Sequence, residues 1–177
     1  MKQQLILTTI GTYKPLILQR LTRSIRDAGA TILECRMDLL GNEASITILM
    51  SGSWDAIVKL EGILIKLESD LDIKMYSKRT GKRIPEKDKI PYTIEIICAN
   101  RHDIINEVTE FLQPSGINIC ELYTNTYQNL NTDMPLLSIH MTINIPADSS
   151  ISVIRSEFMD FCDRLNLDAI MEPMKSL

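Results

Sequence analysis

Few residues in this sequence could do chemistry, and they stand apart from one another. His102 is placed where a helix is expected to open, and His140 lies inside the apolar run Leu137-Ser138-Ile139-His140-Met141. A hydrolytic triad needs acid, base and nucleophile to converge, and a metal centre needs ligands at short spacings. Neither pattern occurs. Cys35, Cys98, Cys120 and Cys162 form no Cys-x-x-Cys pair and read as small buried hydrophobes. No P-loop and no dinucleotide-binding glycine pattern is present, so no catalytic, metal or cofactor chemistry is expected. Two turns remain, each between a strand and a helix: Gly11-Thr12-Tyr13-Lys14-Pro15 and Ala99-Asn100-Arg101-His102-Asp103. A helix N-terminus offers unpaired N–H groups and the positive end of a dipole, which suit a carboxylate. Polar side chains beside it can orient a small zwitterion. The same residues also fit ordinary turns and caps, and spacing alone leaves both readings open.

The elements that position these turns come from an internal repeat. Offsetting the sequence by 87 lays residues 5–34 on 92–121 without a gap. Ile10, Ile17, Thr22, Gly29, Ile32 and Glu34 then meet Ile97, Ile104, Thr109, Gly116, Ile119 and Glu121. Apolar character is kept at Leu7/Ile94, Leu18/Ile105, Leu21/Val108 and Ile25/Leu112. Each copy reads as strand, helix, strand, strand, helix, strand. In the first, Gln4–Ile10 is a strand, and Ile17, Leu18, Leu21 and Ile25 recur at helical spacing. Gly29 is a left-handed stop. The strand from Thr31 to Leu39 alternates, with Ile32, Glu34, Arg36 and Asp38 expected on one face. Leu40–Glu43 makes the turn into the strand Ser45–Met50. Ser53 caps a helix over Trp54–Glu68, and Leu71–Ser77 is the fourth strand. The second copy gives strand Tyr92–Ala99, helix His102–Ser115, strands Ile117–Tyr127 and Leu136–Ile145, helix Ser149–Leu165 and strand Leu167–Met171.

Two βαβ crossovers joined by a hairpin predict an α+β fold of two ferredoxin-like βαββαβ domains. Each is a four-stranded antiparallel sheet with two helices on one face. The expected boundaries are 1–79 and 92–177, with a charged linker over 80–91.

Composition narrows the function. The chain has 177 residues, 45% hydrophobic and 24% charged, with a formal net charge of −4. An acidic chain is a poor binder of nucleic acid. The same topology builds RNA-recognition domains, but those stack bases on aromatics from central strands. Here aromatics are only 5% of the chain, and Ser45–Met50 carries none. No apolar run approaches the length of a membrane span, and the first residues read as a strand rather than a leader, so a cytoplasmic location is expected.

Two βαββαβ units, each with this first turn and then Gly-x-x-Ile-x-Glu at the second strand, resemble tandem ACT domains. The resemblance is closer to the glycine-cleavage repressors among them. It is carried by Leu40-Gly41-Asn42-Glu43, Met50-Ser51-Gly52-Ser53-Trp54, Lys78-Arg79-Thr80 and Asn118-Ile119-Cys120-Glu121-Leu122. It implies a non-enzymatic transcriptional regulator of glycine cleavage and amino-acid metabolism, without a DNA-binding domain of its own. Such a protein would contact a LysR-type activator and respond to an amino acid such as glycine. The ligand positions the resemblance implies are Gly11, Thr12, Tyr13, Lys14, Pro15 and Leu16 in the first copy. In the second they are Asn100, Arg101, His102, Asp103, Ile104, Asn118 and Ile119. The family's first turn commonly reads Asp-Arg-Pro-Gly where this chain has Tyr13-Lys14-Pro15-Leu16. Alternatives are a constitutive interaction module with decayed ligand sites, a regulatory subunit of an amino-acid metabolic enzyme, and, for assembly, a homodimer.

Overall fold

The computed structural model describes residues 2–84, 88–99, 101–128 and 134–174. The chain divides into two compact units, Met1–Ile84 and Pro85–Leu177. The first runs β1 (Gln3–Thr12), α1 (Leu16–Ala28), β2 (Thr31–Leu40), β3 (Glu43–Gly52), α2 (Trp54–Leu71) and β4 (Lys74–Thr80). The second runs β5 (Lys89–Ala99), α3 (Ile104–Leu112, followed by a 3₁₀ turn at Gln113–Ser115), β6 (Asn118–Gln128), β7 (Pro135–Pro146), α4 (Ile151–Leu165) and β8 (Asp168–Pro173). Both sheets are antiparallel with the same strand order, β2-β3-β1-β4 and β6-β7-β5-β8. These are the two ferredoxin-like units that the repeat predicts.

Alternation fixes which face is dry. Leu5 and Leu7 of β1 and Ile46, Ile48 and Met50 of β3 are buried, and they form one core with Ile17, Leu21 and Ile25 of α1 and Ile57, Leu60, Leu64 and Leu67 of α2. Each such side chain is worth roughly 1.5–3 kcal/mol when fully buried. The second unit repeats the scheme with Ile94 and Ile96 of β5, Ile139, Met141 and Ile143 of β7, Ile104 and Val108 of α3, and Phe158 and Cys162 of α4.

The duplication extends to irregular features. Gly29 and Gly116, 87 residues apart, both take left-handed backbone with φ of 86° and 64°. Each sits where its first helix must stop. The strand after each then carries a bulge at matching places, between Ile32 and Glu34 and between Ile119 and Glu121. The bulge corrects the expected alternation. Residue 33 is the extra residue, so Ile32 packs on the core while Glu34, Arg36 and Asp38 lie on the opposite face.

Other boundaries differ for physical reasons. α2 continues to Leu71, and Asp72 closes it with φ of 54° and its N–H bonded to the Glu68 carbonyl. With no glycine there to signal a stop, the sequence pattern ends the helix too early and starts the strand too soon. β4 reaches Thr80 and β5 opens at Lys89, so pairing takes in residues at both ends of the segment expected as linker.

Ser53 does cap α2, accepting a hydrogen bond of 3.2 Å from the Ala56 N–H. Ser150, at the corresponding place before α4, makes no such bond and instead lies 3.1 Å from the Ser152 hydroxyl. Ser53→Ala is therefore expected to cost about 1 kcal/mol and Ser150→Ala close to nothing. Urea denaturation of the two variants beside wild type checks this.

Candidate functional site

The first turn grows out of pairing rather than from a free loop. Gly11 and Thr12 are still in β1, opposite Ala44 and Glu43 of β3. The Thr12 hydroxyl donates to Glu43 Oε1 at 3.2 Å, and the Tyr13 N–H donates to the Asn42 carbonyl at 3.2 Å. Gly11 is required by a close approach. A Cβ there would stand 2.6 Å from Ile73 Cγ2 and 2.8 Å from Ile73 Cβ. Pro15 occupies the cap position of α1 and, like Tyr13 and Leu16, is exposed. Lys14 turns away from the N-terminus it precedes. Its Nζ donates to the Leu71 carbonyl at 3.3 Å, where the last turn of α2 carries negative charge density.

Gly11 and Thr12 form one wall of an open cleft of about 660 Å³. Ile10, Ile73, Glu43, Glu68, Asp72 and Lys74 complete most of it. Glu68 Oε1 accepts from the Met75 N–H at 3.3 Å, which ties the end of α2 to β4. Three carboxyl groups and a helix C-terminus against one lysine favour a cationic group in this cleft. Sequence reading found its Gly11–Thr12 wall and missed its acids, because Glu43, Glu68 and Asp72 come together only through the fold.

The second turn is built differently on the same register. Arg101 matches Lys14 under the offset of 87, but its guanidinium bonds to Asp103 Oδ1 at 3.1 Å and to Glu107 Oε2 at 3.2 Å. The hydrogen bond from Arg101 is the main cause that holds the Asp103 carboxyl below its ordinary range. Both turn cations are thus already engaged. His102 is exposed. Ile104 is fully buried in the core of the second unit, like its counterpart Ile17, so its side chain anchors α3. Asn118 and Ile119 open β6 before the bulge, paired with Asn144 and Ile143. Asn100 lies outside the described residues.

Sequence spacing also hides a cluster on the second sheet. Ser138 Oγ is 2.9 Å from His140 Nε2, His140 Nδ1 is 3.7 Å from Glu95 Oε1, and the Tyr123 ring stacks on His140 at 4.7 Å. Glu95 joins only through strand register, being the β5 residue opposite His140. Serine, histidine and acid therefore do meet. They meet on a sheet face, however, in a strand flanked by β5 and β6, whose ladders engage the backbone N–H groups an oxyanion would need. The buried thiols are poor nucleophiles as well. Burial raises that of Cys98 and pushes that of Cys162 up to about 11. Among the described residues, no group of three or more His, Cys, Asp or Glu could hold a metal ion.

Comparison with known proteins fits this architecture. The sequence model of the ACT domain matches residues 3–78, nearly all of the first unit. The first unit is thus similar to ACT domains along nearly its whole length. The second unit repeats its element order and strand order, so the chain is a tandem of two like-folded units. Over 162 residues, 92% of this chain and 85% of the relative, it is 29% identical to the glycine cleavage system transcriptional repressor of Escherichia coli K12. The repressor of the same name from Shigella flexneri matches equally. Two crystal structures share the fold along the full length. One is of an unknown protein from Galdieria sulphuraria, with a TM-score of 0.80 and 18% identity over 99% of this chain and 100% of that one. The other was assigned provisionally as a glycine cleavage system transcriptional repressor, with a TM-score of 0.75 and 21% identity over 99% of each chain.

Two outcomes follow for these turns. Gly11→Ala is expected to destabilise the first domain by about 1–3 kcal/mol, since Ile73 must move to admit the methyl group, and chemical denaturation measures it. Arg101→Gln is expected to raise the Asp103 titration toward the ordinary carboxylate range. Because the folded carboxyl is depressed, its pairing is complete above the ordinary value and fades as pH falls through the lowered one. Carboxyl-carbon NMR of wild type and variant reads the change directly.

Proposed function

We propose that the protein is a non-enzymatic transcriptional regulator of glycine cleavage or related amino-acid metabolism. It would act by contact with a DNA-binding activator, of the LysR type by resemblance, and that contact would be set by a small amino acid such as glycine. The observation that carries the reading is the match to a named repressor across 92% of the chain. The net charge of −4 supports action through a protein rather than through DNA. No helix among the described residues is long and apolar enough to cross a membrane, in keeping with work beside the chromosome in the cytoplasm.

The candidate ligand positions are the two turns, with Gly11, Thr12, Tyr13, Lys14, Pro15 and Leu16 in one. The other takes Asn100, Arg101, His102, Asp103 and Ile104 by sequence position, together with Asn118 and Ile119. In the first, the carboxylate of an amino acid would take the α1 N-terminus, and its ammonium group would face the acids of the adjoining cleft. Such an effector must bind one state of the protein more tightly than another. A tenfold preference corresponds to about 1.4 kcal/mol, so a single site gives a modest switch and two acting together a firmer one.

A second reading is favoured by one observation. Leu16, 62% exposed, opens α1 where the family commonly has glycine, and its side chain crowds the approach to the backbone. That reading is a constitutive interaction module. Calorimetric titration with glycine and a panel of other amino acids up to millimolar concentration separates the two. A saturable heat for one of them, lost in Thr12→Val or Arg101→Gln, is expected for the sensor. Silence across the panel, with activator capture unchanged by any amino acid, assigns the constitutive module.

A further inference from the structure

The second sheet turns one face away from α3 and α4, and register sets the side chains of that face in rows. Across β6, β7, β5 and β8 they run Glu121–Thr142–Thr93–Glu172, Tyr123–His140–Glu95–Ile170 and Asn125–Ser138–Ile97–Asp168. A last row, Tyr127–Leu136–Ala99, spans three strands. An apolar track therefore crosses the sheet obliquely through Tyr127, Leu136, Ile97 and Ile170. Tyr127, Ile97 and Ile170 are 42%, 42% and 53% exposed. Carboxylates gather at the Ile170 end. Glu95 stands opposite Ile170, and Asp168 and Glu172 lie two residues to either side of it on β8. Diagonal neighbours across a strand pair are about 7–8 Å apart, within reach of like-charge repulsion. Glu121 adds a fourth carboxylate to the face, against Lys89 at the start of β5 and the His140 ring 3.7 Å from Glu95. The fold itself does not ask for this pattern. At the places of Glu95, Asp168 and Glu172 the first unit has Thr8, Lys74 and Lys78, and its face mixes those lysines with Glu34, Arg36 and Asp38.

We propose that this face docks a basic amphipathic helix of another protein, its apolar stripe on the track and its lysine or arginine side chains among Glu95, Asp168 and Glu172. This rests on the reading that the protein works through a protein partner, and it names the surface and the partner's chemistry. A sheet face accepts a further layer, whereas a lone strand seeks an edge. Charge decides whose layer it is. A second copy would bring either the same carboxylates or the mixed signs of its first sheet, and neither answers an acidic face with cations alone. Its helices do no better. Arg20, Arg23 and Arg26 of α1 are already paired with Asp70 and Asp27. α2 exposes Trp54, Val58 and Ile65, but it mixes Lys59 and Lys66 with Asp55, Glu61 and Glu68. The dimensions suit a helix. Three strand spacings make about 14 Å and four residues along a strand about 14 Å, so the track is roughly 20 Å long, the rise of about 13 helical residues. Such a helix presents its anchors at i, i+4, i+7 and i+11. The crowded carboxylates cost the free protein stability, and the partner's cations relieve that repulsion in the complex.

The probe is a capped synthetic peptide of about 16 residues, with leucine at i, i+4, i+7 and i+11, lysine flanking its last two turns, and alanine and glutamine elsewhere. One helix on one face is a small interface, so fluorescence anisotropy at low salt is expected to give a dissociation constant on the order of 10–100 µM. A peptide of the same composition with its leucines scattered is expected to bind about tenfold more weakly, which separates the track from charge alone. Glu95→Gln with Asp168→Asn and Glu172→Gln is expected to weaken binding about tenfold or more, while its urea midpoint equals or exceeds that of wild type. Ile97→Thr with Ile170→Thr is expected to weaken it similarly, and Lys74→Gln with Lys78→Gln on the first sheet to leave it unchanged. Amide NMR shifts on titration are expected on β5–β8 along the track. No binding up to about 1 mM, equal binding of the scattered peptide or by the triple variant, or shifts confined to the first unit overturns the proposal. So does self-association of the wild-type chain that the triple variant loses, since a second copy is then the occupant. Capture of a DNA-binding activator is read on the same variants. Capture that survives the triple variant overturns this surface and leaves the regulatory reading standing, whereas peptide binding without any activator capture overturns that reading and leaves the surface.

Discussion

A sheet has two faces, and two crossover helices can cover only one of them. Everything distinctive in this molecule follows from that constraint being met twice. Burial of alternate residues on β1 and β3, and on β5 and β7, against their helices supplies the cohesion of each unit. The residues between them are released from packing and free to diverge. They have done so most on the last strand of each copy, where lysines and carboxylates trade places, and beside it, where Thr8 of one sheet corresponds to Glu95 of the other. The cores of the two units resemble each other far more than their open faces do.

Divergence also separates the two turns, which share a cation at the same register. Lys14 is held by the carbonyl end of a helix, while Arg101 is held by two carboxylates. An incoming carboxylate would compete with a partial charge at the first turn and with full charges at the second. The two copies therefore present unequal electrostatic thresholds to one ligand, although their backbones are alike.

Much of this was legible in the sequence, because what marks a duplication is what folding cannot do without. The apolar spacing, the glycine that ends each first helix and the serine that caps α2 are all local signals. What could not be read depended on a register or a conformation that residue type does not announce. The bulge at residue 33 turns Ile32 inward and leaves the residues after it on the other face, and no letter in Thr31–Leu40 marks it. Asp72 takes a left-handed conformation that glycine usually advertises. Ser138, His140 and Glu95 are neighbours only once β5 and β7 are aligned. Ile104 adjoins the second turn in sequence, and its spacing with Val108 and Leu112 places its side chain on the buried side of α3.

The bulges have a further bearing on how the chain survives in a crowded solution. β2 and β6 are outer strands of ten and eleven residues, long enough to recruit a stray segment by backbone bonding. The extra residue near the start of each interrupts the even spacing of N–H and C=O groups there and increases the local twist, so a stray strand cannot pair in one register along the whole edge. The irregularity kept in both halves thus shortens the regular edge that β2 and β6 offer to solvent.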